Sequence, residues 1–155
     1  MTTTTVLKVV LARRERQILQ GLATGNALSQ VALGLKIREG TAAGYLKLAK
    51  SKLHGVSETA SAVAVGYALE AIDRPPLRDP KTLFLPREQQ DLVPLIARGM
   101  APAQMATELD RPVAVVRADG RNLLTSLQAR NRSHLITRAW QFQRLTADEV
   151  IAWLR

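Results

Sequence analysis

Apolar residues along this chain recur three and four apart, and period-two alternation is nearly absent, so the pattern predicts an all-α fold. Ile18, Leu19 and Leu22 mark a helix over 12–23 that Gly25 closes as a left-handed stop. Val31, Ala32 and Leu35 mark a short helix over 27–35, and Lys36 and Ile37 make a turn. Leu46, Ala49 and Leu53 lie along a third helix over 38–53; Ala60, Val63, Tyr67 and Leu69 lie along a fourth over 57–72. Residues 74–84 hold Pro75, Pro76 and Pro80 and read as a linker, extended in its first half because proline disfavours helix in the residue before it. The order then returns, with helices predicted over 86–98, from Pro102 to Leu109, over 112–127 and over 131–145. Thr146 and Glu149 form a capping box for one more short helix ending in Ile151, Trp153 and Leu154. Pro86 suits a first turn, whereas Pro94 predicts a kink or a shifted start, since an internal proline costs about 3 kcal/mol.

The returning order is an internal repeat. At a shift of 74 residues Leu11 matches Leu85, Arg13 Arg87, Ala23 Ala97, Gly25 Gly99, Ala27 Ala101, Gln30 Gln104, Ala32 Ala106, Leu35 Leu109 and Leu53 Leu127. The expected organisation is a first domain over 1–73, a proline-rich linker over 74–84, and a second domain with the short terminal helix over 85–155. Copies of roughly 70 residues lie near the lower size at which one core stabilises itself, so contact between them is expected.

The first copy resembles the C-terminal helix–turn–helix domain of LuxR/FixJ/GerE-type bacterial regulators. The residues that carry the resemblance are Leu11, Arg14-Glu15, Ile18-Leu19, Ala23-Thr24-Gly25, Val31-Ala32, Leu35-Lys36-Ile37, Arg38-Glu39-Gly40-Thr41 and Lys52-Leu53. The second copy is more diverged. It keeps Arg87-Glu88 one place early, Leu92-Val93, Ala97-Arg98-Gly99, Met105-Ala106, Leu109 and the stretch Leu127 to Ile136, but has lost the Glu-Gly-Thr signature at Pro112 to Val116. The resemblance implies two tandem four-helix LuxR-type domains plus a short C-terminal helix. No receiver or ligand-sensing domain is read ahead of either copy.

In a helix–turn–helix the second helix of the motif enters the major groove, and residues three and four apart share its outer face. The DNA-facing candidates in the first copy are Thr41, Ala43, Gly44, Lys47 and Ser51, with Tyr45 alongside; in the second they are Arg117, Ala118, Arg121 and Thr125. Arg117 and Arg121 share a face, and arginine can bond guanine through two parallel hydrogen bonds worth about 1–3 kcal/mol of discrimination. Solvated surface arginines are the plain alternative. The resemblance gives Lys47 a base or phosphate contact. Arg130 and Arg132, just before the last helix of the repeat, suit phosphate at a helix N-terminus; Ser57-Glu58-Thr59 in the first copy has no such arginines. Asp119 needs Arg117, Arg121 or a cytosine amino group as partner, and mid-helix Gly44 and Gly120 each cost about 1 kcal/mol against alanine. For Arg14 and Glu15 an internal ion pair or a helix-end contact is the plainer role.

Charge narrows the partners. The chain carries 22 Lys and Arg against 13 Asp and Glu, a formal +9. Residues 1–73 hold 9 against 5 and the remainder 13 against 8, so the excess is not a basic tail. This points to a polyanion, here double-stranded DNA. With no cysteine and with His54 and His134 far apart, neither a metal nor another cofactor is expected, and no catalytic constellation appears. The apolar run Val6 to Val10 is too short for a signal peptide and no segment is long enough to span a membrane, so a cytoplasmic, nucleoid-associated protein is expected. The functional expectation is a sequence-specific transcriptional regulator, either a monomeric pseudo-dimer or a homodimer. The rivals are an interaction protein that binds RNA polymerase, a sigma factor or another regulator, and a nonspecific DNA binder.

Overall fold

The structure, a computed structural model, describes residues 8–154; Met1–Leu7, including the start of the Val6–Val10 run, lie outside them. Every regular element among the described residues is a helix: α1 (Arg13–Ala23), α2 (Leu28–Leu35), α3 (Glu39–Lys52), α4 (Thr59–Ala68), a 3-10 turn (Pro80–Thr82), α5 (Arg87–Gln90), α6 (Leu92–Ala97), α7 (Pro102–Leu109), α8 (Val113–Ser126), α9 (Arg132–Gln141) and α10 (Ala147–Leu154). The limits of α7 and α8 are those of α2 and α3 displaced by 74 residues. Left-handed backbone recurs in the same register: Gly25 and Gly99 (φ 93° and 85°), Lys36 and Asp110 (59° and 53°), His54 and Gln128 (64° and 54°). Glu70 and Gln143 (57° and 58°) follow at 73.

The two helix–turn–helix bends share their bonding as well. Lys36 and Asp110 end α2 and α7, and the next amides, of Ile37 and Arg111, donate back to Ala32 O and Ala106 O at 3.0 Å each. These bonds satisfy carbonyls that a helix end would otherwise leave open. At the start of each helix, the amides of Ala27 and Ala101 donate to the side chains of Gln30 and Gln104, both at 2.8 Å.

Three elements depart from the expected limits. α4 ends at Ala68 rather than 72, because the chain turns at Glu70 and the amides of Ala71 and Ile72 donate to Gly66 O. Leu69, Ala71 and Ile72 stay buried after that turn, which prolongs the apolar periodicity past the helix. α9 closes at Gln141 in the same way. The helix expected over 86–98 is divided at Asp91 into α5 and α6. Pro94 has no N–H to offer the Gln90 carbonyl, so the ladder is interrupted there. The capping box at α10 forms as expected, with the Thr146 amide donating to Glu149 Oε1 at 3.2 Å and the Glu149 amide to Thr146 Oγ1 at 3.4 Å.

α4 and α9 lie against each other at the centre, α1 packs on α9, α6 packs on α4, and the buried side chains of both halves form one continuous core. This pairing is reciprocal. Tyr67 and Trp140, 73 residues apart, meet with ring centroids 5.4 Å apart. A side chain on a two-fold axis meets its own equivalent, so these rings mark where such an axis runs. Thr137 Oγ1 donates to Ala23 O at 2.7 Å, which leaves the Tyr67 hydroxyl to donate to Thr137 Oγ1 at 2.8 Å; this buried chain ties α4, α9 and α1 together. Gly25 lies against Arg130 and His134, and Gly99 against Glu58 and Ser61. A Cβ on Gly99 would come within 2.8 Å of Ser61 Oγ, and both glycines already have positive φ, so nothing larger fits.

The segment between the halves is strapped down rather than slack. The Arg78 amide donates to Gln141 O at 2.7 Å, and Arg144 donates to Pro80 O and Leu83 O. Arg78 also lies over the Phe142 ring and Arg74 over Trp140, at 4.9 and 5.3 Å. α10 covers the end of the bundle against α4 and α6, with Val150 fully buried.

Candidate nucleic-acid interface

α3 is anchored by Ala42, Leu46 and Ala49, which are buried three and four apart against α1 and α2. The opposite face is open. Thr41, Ala43, Gly44, Lys47 and Ser51 are all exposed and Tyr45 is half-buried. Gly44 has nothing above it within 4 Å, so the helix backbone itself is accessible there. α8 is anchored by Val116 and Leu123 and exposes Arg117, Arg121 and Thr125, with Ala118 half-buried. Thr125 spends its hydroxyl proton on Arg121 O at 3.3 Å. Asn122, exposed one position beyond Arg121, was not singled out in the sequence; its i+4 spacing from Ala118 was the available signal, and an asparagine amide can read adenine.

Cations on these faces are free to meet a partner. None of the ion pairs among the described residues involves Lys47, Arg117, Arg121 or Arg130. Asp119 is held by neither neighbouring arginine; its Oδ2 is enclosed without a hydrogen-bond partner. The two arginines before α9 differ. Arg130 is exposed, while Arg132 is half-buried and donates to Met100 O. Burial pulls the Arg132 guanidinium below its ordinary pKa, with the Glu58 carboxylate acting the other way. The first turn of α8 presents Val113 and Val115, 37% and 45% exposed, where α3 presents Glu39, Gly40 and Thr41.

Beneath the first face Glu15 plays a supporting part. It is buried, accepts the Ala12 amide at 2.9 Å, and takes Lys52 Nζ at 2.8 Å. Burial pushes its carboxyl up, but the Lys52 and Ala12 hydrogen bonds and the Lys52 charge outweigh that and leave it below the usual range. Thus Glu15 closes α1 and fixes the end of α3. Its counterpart in the second half is Gln89, not the exposed Glu88 of the Arg87-Glu88 pair; Gln89 is buried and accepts Ser126 Oγ at 2.7 Å.

An anchored helix behind a tight bend, with an unpaired cationic outer face, is the geometry of a groove reader. Residues 9–65 match the family model GerE, bacterial regulatory proteins, luxR family. The match runs through the whole α1–α3 unit and into α4, so this stretch is similar to the helix–turn–helix domains of LuxR-family DNA-binding transcription regulators. Comparison with curated proteins and with solved structures returns no match. No helix among the described residues is long and apolar enough to cross a membrane, and no cluster of three or more His, Asp or Glu there could hold a metal.

Proposed function

We propose that the protein is a sequence-specific transcriptional regulator in which two LuxR-type helix–turn–helix domains, 1–73 and 85–155, act as a covalent pair on double-stranded DNA. The observation that carries the first domain is the LuxR-family match over α1–α3 together with the open outer face of α3. Support for the second is the recurrence of helix limits and left-handed residues 74 positions on. Support for the pair is the reciprocal packing of α4 on α9. In this reading α3 and α8 enter successive major grooves about one helical turn (~34 Å) apart. Thr41, Ala43, Gly44, Tyr45 and Ser51 read one half-site with Lys47 on its phosphates, and Arg117, Ala118, Arg121 and Thr125 read the other. Arg130 holds phosphate, and Arg132 fixes the start of α9 beside it. Unequal faces require an asymmetric operator. The bacterial, nucleoid-associated setting follows from the same reading.

A gel shift across salt concentrations tests it. Binding to random duplex should weaken as log salt rises with a slope of about −0.9 per phosphate contacted, and selection from random sequence should return one asymmetric site. Absence of salt-dependent binding at low ionic strength would overturn the proposal. One observation favours a second reading for the C-terminal half alone: the exposed Val113 and Val115 suit a protein surface, such as RNA polymerase or another regulator, better than a phosphate backbone.

A further inference from the structure

The two halves differ most in what lies under their third helices. In the first half Ala43, Leu46, Lys47 and Lys50 border an open groove of about 590 Å³ that runs to the Gly55–Ser57 loop, and Leu46 is the one buried residue in its lining. The same four positions in the second half are Arg117, Gly120, Arg121 and Leu124. Glycine stands in place of the leucine. The groove opens into a hollow of about 260 Å³ that reaches the core residues Ile96, Met105, Val116 and Leu135. A Cβ built on Gly120 meets nothing within 4 Å.

We propose that this hollow is a binding site for a small apolar monocarboxylate, with its hydrocarbon part under α8 and its carboxylate at the mouth. Its volume is the space of roughly nine waters at ~30 Å³ each, enough for a single ring or a short chain. Behind the mouth the lining is apolar, so a hydrocarbon group is the fitting occupant. Arg117, Arg121 and Arg132 line the hollow and none is in an ion pair among the described residues; Arg132 is already bonded to Met100 O, which leaves Arg117 and Arg121 to take the carboxylate. Arginine's planar fork binds an oxyanion through two parallel bonds, which sets the charge, and a carboxylate is the singly charged planar group that matches it. The proposal holds whether or not the outer face of α8 meets DNA.

Isothermal titration of the full chain with sodium phenylacetate, benzoate and hexanoate tests it, with phenylacetamide as the uncharged comparison. At least one carboxylate should bind saturably, and phenylacetamide at least tenfold more weakly than phenylacetate. Gly120→Leu, which places in the hollow the side chain that the first half carries at this position, should abolish carboxylate binding and raise Tm. Arg117→Gln should weaken the carboxylate severalfold and leave the amide unchanged. Silence from all three carboxylates with folded protein, equal binding of the amide, or undiminished binding by a folded Gly120→Leu variant would each overturn the site. A parallel gel shift of the same samples separates failure of this site from failure of the DNA reading.

Discussion

The α1–α4 half and the α5–α9 half share a backbone plan and differ in how each is held. In the first, α1 is continuous and its buried Glu15 grips Lys52 across the domain; in the second, α5 and α6 are divided and neutral Gln89 accepts Ser126 at the same two positions. Both pairs span 37 residues and both fasten the first helix to the end of the third. A part-buried charged pair and a part-buried neutral hydrogen bond therefore serve one structural purpose. What survives in the second half is the set of contacts that shape the chain: left-handed stops, amide-capping glutamines and the core stripe. What does not recur is the Glu15–Lys52 ion pair and the Glu-Gly-Thr entry to the third helix, and the match to the family model covers residues 9–65.

Removing the shared interface gives the largest effect. Trp140→Ala deletes a buried ring at the junction of α4 and α9 and should cost about 3–5 kcal/mol. Hydrogen exchange should show amides of α1 and α4 opening together with those of α6 and α9. If only the C-terminal amides respond, the halves are separate units and the comparison fails. Next come the outer faces. Arg121→Ala should relax base preference in one half-site by about 1–3 kcal/mol, whereas Lys47→Ala should lower affinity for all sequences and reduce the salt slope by about 0.9; competition gel shifts distinguish them. Arg130→Ala should flatten that slope similarly, while Arg132→Ala should leave it in place because its guanidinium is spent on Met100 O.

The two clasps differ less. Lys52→Met leaves the enclosed Glu15 carboxylate without its cation, at a cost of about 1 kcal/mol, the low end of the range for an unsatisfied charged group, because the ammonium is 44% exposed and screened. Ser126→Ala should cost about 0.5–1.5 kcal/mol by urea denaturation. Only the first clasp titrates. Glu15 has a folded pKa below its unfolded 4.5, so its contribution is complete above that value and is lost as pH falls through the folded one. The smallest expected effect is therefore a Glu15→Gln variant whose stability falls less steeply than the parent's below pH 4.5.

Much of this architecture was legible before any coordinates. Periodicity located the helices, Gly25 and Gly99 located their stops, and the 74-residue register placed Arg117 and Arg121 on an exposed face. Helix ends were overestimated at α4 and α9 because buried residues continue past a turn that only non-glycine left-handed residues, Glu70 and Gln143, mark. The acidic motif misdirected the comparison toward Glu88, because Gln89 keeps the size and acceptor of Glu15 but not its charge. Arg132 read, with Arg130, as a phosphate contact, since burial leaves no trace in residue type. Gly120 stood out in the sequence only as a helix weakness; its register against Leu46 was already visible, but its meaning required the neighbours that line the gap.

The reciprocal junction of α4 with α9 lies inside one polypeptide, and that changes what a single substitution does. Between two identical subunits every change is imposed on both sides at once, so a lost leucine would hollow each of them. Here the hollow beside Gly120 belongs to one side while a buried Leu46 holds the same position on the other, and one half is free to acquire a new task while its twin keeps the old one.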